Sequence, residues 1–237
     1  MKVLRKPKIK DLIRFDVKTS KDCLLIGTDE AGRGPLAGPV CASAVYFPEF
    51  SKEIIQALQY LDDSKKFSSN HSLRKEISEE IKKYSLYSIS FCSVKEIEKL
   101  NILQASLLAM KKAVKDILPQ ISDEKPKLVL IDGRQTIPKF NINQSALVKG
   151  DAISASIAAA SILAKVARDD LMMDLSEKFP QYLWHKNKGY GTKEHVRAIC
   201  ESGICEHHRK SFLKKFDLEG TGKFRFFGKI EFFKPDP

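Results

Sequence analysis

The sequence predicts an α/β domain, a mixed β-sheet flanked by helices on both faces. Three observations carry that expectation. Apolar runs of strand length (Cys23–Asp29, Val40–Phe47, Leu86–Val94, Lys127–Ile131) alternate with stretches of helical period. The loop between the first two runs is too short for a crossover helix, which makes those strands antiparallel neighbours. Two apolar runs end in an acid with a glycine nearby, at Asp29 and at Asp132, and strand ends are where α/β sheets place their sites.

Taken in order, residues 1–22 read as a basic surface segment. Residues 1–21 hold eight Lys or Arg, two Asp and no continuous apolar run, so they do not read as a signal peptide. Between the first strand and the second, which Pro48 stops, lie Gly32, Arg33, Gly34, Pro35, Gly38 and Pro39. Adjacent residues of a regular strand point to opposite faces. Asp29 and Glu30 can therefore serve one site if the strand breaks just after Asp29, which the glycines permit. Ser51–Leu61 reads as a helix, Leu61–Ser68 as a charged turn, His71–Tyr84 as an amphipathic helix and Leu86–Val94 as a strand. Ser93 is placed to cap a long helix from Val94 to Leu118, with an interruption at Asn101. Ala146–Lys149 is a short strand candidate, and Gly150-Asp151 opens a helix rich in Ala and Ser. Pro180 ends the helical stretch, Phe179 and Trp184 pack helix ends, and Thr192–Ser202 is the last helix. The tail, residues 220–237, interleaves Phe with Lys and Arg.

The chain of 237 residues carries Lys+Arg 41 against Asp+Glu 30, a net charge of +11, which favours a polyanion such as nucleic acid as partner. Five cysteines, odd in number and mostly scattered, give no disulfide framework and point to a reducing, cytoplasmic compartment. Cys200, Cys205, His207 and His208 have poor spacing for a zinc site. His195, His207 and His208 have two readings, proton shuttles or the commoner surface histidines, and are assigned no role. The most apolar helix, Ala152–Val166, is shorter than a membrane span and bracketed by Asp151 and Lys165, so no membrane association is expected.

The chemistry centres on Asp29, Glu30, Asp132 and Asp151. Asp151 has two compatible readings, helix N-cap and metal ligand. If the four carboxylates converge they repel each other, and hard cations with oxygen ligands, Mg²⁺ or Mn²⁺, relieve that repulsion. A carboxylate cluster inside a basic chain suits a metal-dependent nuclease, with acids for metals and lysines for phosphates. Lys65, Lys66, Lys165 and Arg168 are the phosphate-contact candidates, Arg168 having the alternative of a scaffold pair with Asp169 or another acid.

Six motifs, in order and with none missing, together resemble ribonuclease HII: Asp29–Pro35, Asp63–Lys66, Ile131–Gly133, Lys149–Ala152, Ala159–Asp169 and Lys188–Thr192. The resemblance runs from about Leu24 to Phe212. It implies a ribonuclease-H-like catalytic domain over residues 23–219 with a helical C-terminal region. It implies endonucleolytic cleavage of the RNA strand of RNA–DNA hybrids, including single ribonucleotides embedded in duplex DNA, leaving 5′-phosphate and 3′-hydroxyl ends. The four acids would hold the metals by a two-metal-ion scheme, Gly32, Arg33 and Gly34 would read the 2′-hydroxyl, and Tyr190 would sit at the sugar next to the cut. A monomer is expected. The sister family, ribonuclease HIII, has a sizeable extra N-terminal domain and usually lysine in the glycine loop. About twenty residues precede the first strand here and position 33 is Arg, so HII is favoured.

Two rival readings are a nucleotide-dependent enzyme and a non-catalytic nucleic-acid-binding module. No Gly-x-Gly-x-x-Gly opens a helix and no Walker Lys-Ser/Thr follows, which counts against the first. The four acids count against the second, because carboxylates weaken phosphate binding unless a cation is present.

Overall fold

The computed structural model describes residues 9–59, 71–213, 216–219 and 223–226. Lys65 and Lys66, with the rest of their motif, lie outside the described residues, as does most of the 220–237 tail.

Five strands form one sheet: β1 (Leu24–Ala31), β2 (Val40–Tyr46), β3 (Leu86–Cys92), β4 (Lys127–Asp132) and β5 (Asn143–Leu147), in the order β3-β2-β1-β4-β5. β1, β2 and β3 form an antiparallel meander, as the short first loop requires, while β4 and β5 run parallel to β1. Thr28 pairs with Ile131, so the next residues in register, Asp29 and Asp132, stand level at the carboxyl end of adjacent parallel strands. Val40–Tyr46 and Lys127–Asp132 lie within a residue of the sequence expectation, and β5 begins three residues before the expected Ala146.

The helices are α1 (Ile9–Thr19), α2 (Lys52–Gln59), α3 (His71–Tyr84), α4 (Val94–Leu100), α5 (Ile102–Ile117), α6 (Ala155–Lys178), α7 (Trp184–Asn187) and α8 (Lys193–Ser202). α4 and α5 cover one face of the sheet, where Met110 and Val114 meet Ile26, Val40 and Val129. α1, α2, α3 and α6 cover the other, where Ile13, Ile54, Ile81 and Leu163 bury around Val45. Each such side chain contributes about 1.5–3 kcal/mol on burial. The break at Asn101 is as expected: it sits at φ 70° and its side chain caps α5 at the Gln104 amide, while Ser93 and Glu96 form a capping box on α4. The pair β6 (Phe216–Glu219) and β7 (Lys223–Phe226) is a separate antiparallel ribbon.

Two expectations are corrected by packing. The N-terminal segment is not merely a basic surface stretch: residues 9–19 form α1, with Ile9, Leu12, Ile13 and Asp16 buried. Asp16 accepts hydrogen bonds from the Ser156 amide (2.7 Å) and hydroxyl (2.8 Å), capping the first turn of α6 from another element. Asp151 does not open α6. It lies in a 3-10 turn, Gly150–Ala152, and Ser154 is the N-cap, its side chain accepting from the Ile157 amide.

α6 approaches β1 closely enough to demand glycine at position 27. A Cβ there would stand 2.3 Å from the Ser156 carbonyl carbon. That contact seats the N-terminal half of α6 against the strand that carries Asp29 and Glu30.

Candidate active site

The acids come from the sheet's carboxyl edge and the turn before α6. β1 does not break after Asp29, contrary to the expectation; what joins Asp29 and Glu30 is instead Asp132, whose charge acts on both carboxyl groups. The pairing of β1 to β2 continues through Glu30↔Ala42 and Ala31↔Cys41, and the chain turns only at Gly32, at φ +95°. Asp29 is 5% exposed, and its Oδ1 accepts the Glu30 amide at 2.7 Å. Glu30 projects to the rim of a groove and accepts from Arg33 Nη1 at 3.0 Å. Asp132 Oδ1 accepts the Gly150 amide at 2.6 Å. That bond places the next residue, Asp151, on the groove wall.

Their electrostatics tie the four together. Burial, then the charges of Glu30 and Asp132, push the Asp29 carboxyl well above the ordinary range. Burial raises Glu30, opposed by the Arg33 pair and reinforced by Asp132. Burial raises Asp132 as well, opposed by the Gly150 amide and reinforced by Asp151. Among the described residues no three His, Cys, Asp or Glu side chains are arranged to hold a metal ion. The acids are turned to local donors instead, as mutual repulsion dictates. Glu30 Oε2 is nevertheless buried without a hydrogen-bond partner. An all-oxygen donor set, with proton affinity raised at Asp29, Glu30 and Asp132 and with one orphaned oxygen, fits a hard divalent cation.

The groove, about 750 Å³, is lined on its other walls by Gly32, Lys165, Lys188 and Tyr190 among others. The structure brings these sequence candidates together. Gly34 faces the Tyr190 ring, since a Cβ at 34 would sit 3.7 Å from its Cε1. Lys165 Nζ lies 5.8 Å from the centre of that ring and pairs with Asp169 at 3.0 Å. Arg33 is half exposed at the mouth, tied to Glu30.

Sequence reasoning missed what holds this wall in place. Arg209 is fully buried and donates to the carbonyls of Gly32 (2.7 Å), Arg33 (3.1 Å), Gly38 (2.9 Å) and Pro39 (3.2 Å). Arg168, read as a phosphate contact or a partner of an acid, is also buried and donates to the carbonyls of Ala37 (3.0 Å), Pro39 (3.1 Å) and Lys188 (3.0 Å). Two guanidiniums therefore replace regular secondary structure as donors for the glycine loop. Burial and the neighbouring Arg168 lower Arg209 to about 9. The histidines are corrected too: His195 and His208 are 0% and 1% exposed, and His207 is half-buried. No local signal in the sequence marks these roles, because Arg209 and Gly32 are 177 residues apart.

Comparison with known proteins agrees with the geometry. The family profile described as Ribonuclease HII matches residues 26–215. Ribonuclease HII of Fusobacterium nucleatum is 48% identical over 192 residues, covering 81% of this chain and 86% of that protein. The Caldicellulosiruptor saccharolyticus ribonuclease HII is 49% identical over 191 residues, covering 80% and 87%. Among solved structures, ribonuclease HII in the PCNA complex from Archaeoglobus fulgidus superposes with a TM-score of 0.60 at 24% identity, over 78% of this chain and 93% of that one. Bst-RNase HIII in complex with Mn²⁺ gives 0.60 at 18% identity, over 81% and 65%. These two likenesses show the shared ribonuclease-H-like fold. With the profile and the relatives spanning the strands, the acids and the glycine loop alike, this chain belongs to the ribonuclease HII family, metal-dependent endonucleases that cut the RNA of RNA–DNA hybrids.

Proposed function

We propose that this enzyme cleaves at single ribonucleotides embedded in duplex DNA as well as within longer hybrids, with Asp29, Glu30, Asp132 and Asp151 holding two Mg²⁺ or Mn²⁺ ions. The observation that supports this most is the level placement of Asp29 and Asp132 on adjacent parallel strands, where the Asp132 charge raises the proton affinity of both Asp29 and Glu30. Such ions would activate a water and stabilise the leaving oxygen, giving 5′-phosphate and 3′-hydroxyl ends. The chain's own residues do the rest. Asp29 and Asp132 supply oxygens from rigid strand ends. Glu30 would offer a cation its unpartnered Oε2, its Oε1 being held by Arg33. Arg33, exposed beside that carboxylate, would be placed to meet the substrate.

Recognition of the ribose falls to the loop of Gly32, Arg33 and Gly34 and to Tyr190, which meet across one wall of the groove. The 2′-hydroxyl is the one group that distinguishes the two sugars. The exposed Gly34, with no side chain of its own, would let the backbone approach it, and the Tyr190 ring would pack against the adjacent sugar. Lys165 lies beside the ring, where a phosphate of the same strand would run.

The test is a duplex carrying one ribonucleotide, incubated with Mg²⁺ and separately with Mn²⁺. A single nick leaving a 3′-hydroxyl and a 5′-phosphate is expected. Cleavage of continuous RNA in a hybrid, with none at a single ribonucleotide, would remove the junction reading. Full activity in chelator would remove the metal site.

A further inference from the structure

Behind Tyr190 lies a buried polar relay that the cleavage chemistry does not use. His195 Nδ1 is 2.8 Å from the Tyr190 carbonyl oxygen, which can only accept, so Nδ1 carries the proton. His195 Nε2 is then an acceptor, and it receives the Trp184 indole N–H at 3.0 Å. His208 Nδ1 accepts the Cys205 amide at 3.0 Å, which leaves its proton on Nε2, 3.2 Å from His195 Nε2. One tautomeric pattern thereby runs from Cys205 through His208 and His195 to Tyr190, with the single lone pair of His195 Nε2 shared between the Trp184 and His208 N–H donors. Tyr182 and Trp184 stack at 5.0 Å and close over the two rings.

The segment that carries His208 also holds the glycine loop that meets Tyr190. The Gly38 amide donates to the His207 carbonyl (2.9 Å), and the Arg209 amide donates to the Leu36 carbonyl (2.8 Å). The Gly189 carbonyl in turn receives the Leu36 amide at 2.8 Å. One stretch, residues 205–209, thus grips the glycine loop directly and Tyr190 through two imidazoles.

We propose that His195 and His208 are positioning residues that fix the Tyr190 backbone, and hence its ring, in register with the Gly32–Gly34 loop, so that they set the preference for a ribonucleotide junction without touching substrate. This rests on the Tyr190 reading above. Burial lowers His195 to about 4, while burial and then the His195 charge lower His208 to about 3. The groups facing the pair are Cys205, His207, Tyr182 and Trp184, with no carboxylate among the partners found for either ring. The relay is therefore neutral, with a fixed tautomer, at working pH.

The experiment measures kcat and KM on a single-ribonucleotide duplex and on a continuous RNA–DNA hybrid for His195→Asn, His195→Phe, Tyr190→Ala and the His195→Phe/Tyr190→Ala pair. The Asn amide can reproduce the Nδ1–H donor, and Phe cannot. His195→Phe is expected to lower kcat on the junction substrate about 10-fold more than on the hybrid, the scale of a modest misplacement. His195→Asn recovers most of that loss. The double variant shows no further change in the substrate ratio beyond Tyr190→Ala. Equal losses on both substrates, or no recovery in His195→Asn, overturn the proposal. Ring ¹⁵N shifts of the wild-type protein at neutral pH give an independent readout: Nδ1–H on His195 with Nε2–H on His208 is expected, and the opposite tautomers overturn the relay. If Tyr190→Ala leaves the substrate ratio unchanged while His195→Phe shifts it, the Tyr190 reading fails, and the proposal, which acts through Tyr190, is overturned with it. A fault confined to the relay shows instead as wrong tautomers beside a normal Tyr190→Ala effect.

Discussion

The two walls of the groove are built on opposite electrostatic plans. The acid wall presents Glu30 and Asp151 to the groove with Asp29 and Asp132 beside them, and three of these four acids are held by a donor: Glu30 N–H for Asp29, Arg33 for Glu30, Gly150 N–H for Asp132. On the reading wall, uncharged backbone carbonyls are gathered by buried cations and neutral imidazoles brought from the far end of the chain, Arg168, Arg209, His195 and His208. The first wall crowds like charges, which the proposed cations would relieve. The second is made rigid by buried donors. Crowded charge on one side thus costs stability, while satisfied carbonyls on the other supply it.

Substitutions should separate the walls by what they damage. The largest effect is on chemistry: Asp132→Asn or Asp29→Asn should lower cleavage by about three orders of magnitude, as for groups that act as a unit, while hybrid binding persists in a gel-shift assay. Near wild-type turnover in either variant at saturating metal would remove the proposed four-acid site.

Next in size, Arg209→Leu should cost about 3–5 kcal/mol in urea unfolding, because four loop carbonyls lose a buried charged donor. A loss below about 1 kcal/mol would mean that water replaces the guanidinium without strain.

The acid wall should respond in the opposite sense. Asp29 has a raised proton affinity in the folded state, so folded protein binds the proton more tightly than unfolded chain. Its contribution favours folding at low pH and is lost as pH rises from the ordinary carboxylate range through the raised folded value. Without metal at neutral pH, Asp29→Asn should therefore raise Tm by about 3 °C, measured by calorimetry. Added Mn²⁺ should raise the wild-type Tm and leave that of Asp29→Asn nearly unchanged. A lower Tm for metal-free Asp29→Asn would show that its hydrogen bonds outweigh the repulsion.

The smallest effect tests the meeting of the walls. Gly34→Ala places a methyl 3.7 Å from Tyr190 Cε1, an ordinary contact, so stability should change by less than about 0.5 kcal/mol. Any loss of activity in that variant should then fall on the single-ribonucleotide substrate. Equal loss on a continuous hybrid would place Gly34 outside ribose reading.

The same contrast governs what could be read from the chain alone. The acids, the strands that carry them and the break at Asn101 were legible because each is a local signal: an apolar run of set length, a glycine after an acid, a capping residue at the right spacing. Gly32, Gly34 and Tyr190 were legible through the motifs they stand in. The sequence could not show that β1 continues to Ala31, since strand ends depend on whether a neighbour still offers partners, and β2 does at Ala42 and Cys41. It could not show that residues 9–19 dock as a helix capping α6, because Asp16 and Ser156 lie 140 residues apart. Nor could it show that two arginines and two histidines, which look like surface or phosphate-binding residues, are the buried frame of the reading wall. A charged or titratable side chain carries no mark of its burial. That is decided by whether the fold brings carbonyls to it, and at Arg209 it brings those of Gly32, Arg33, Gly38 and Pro39.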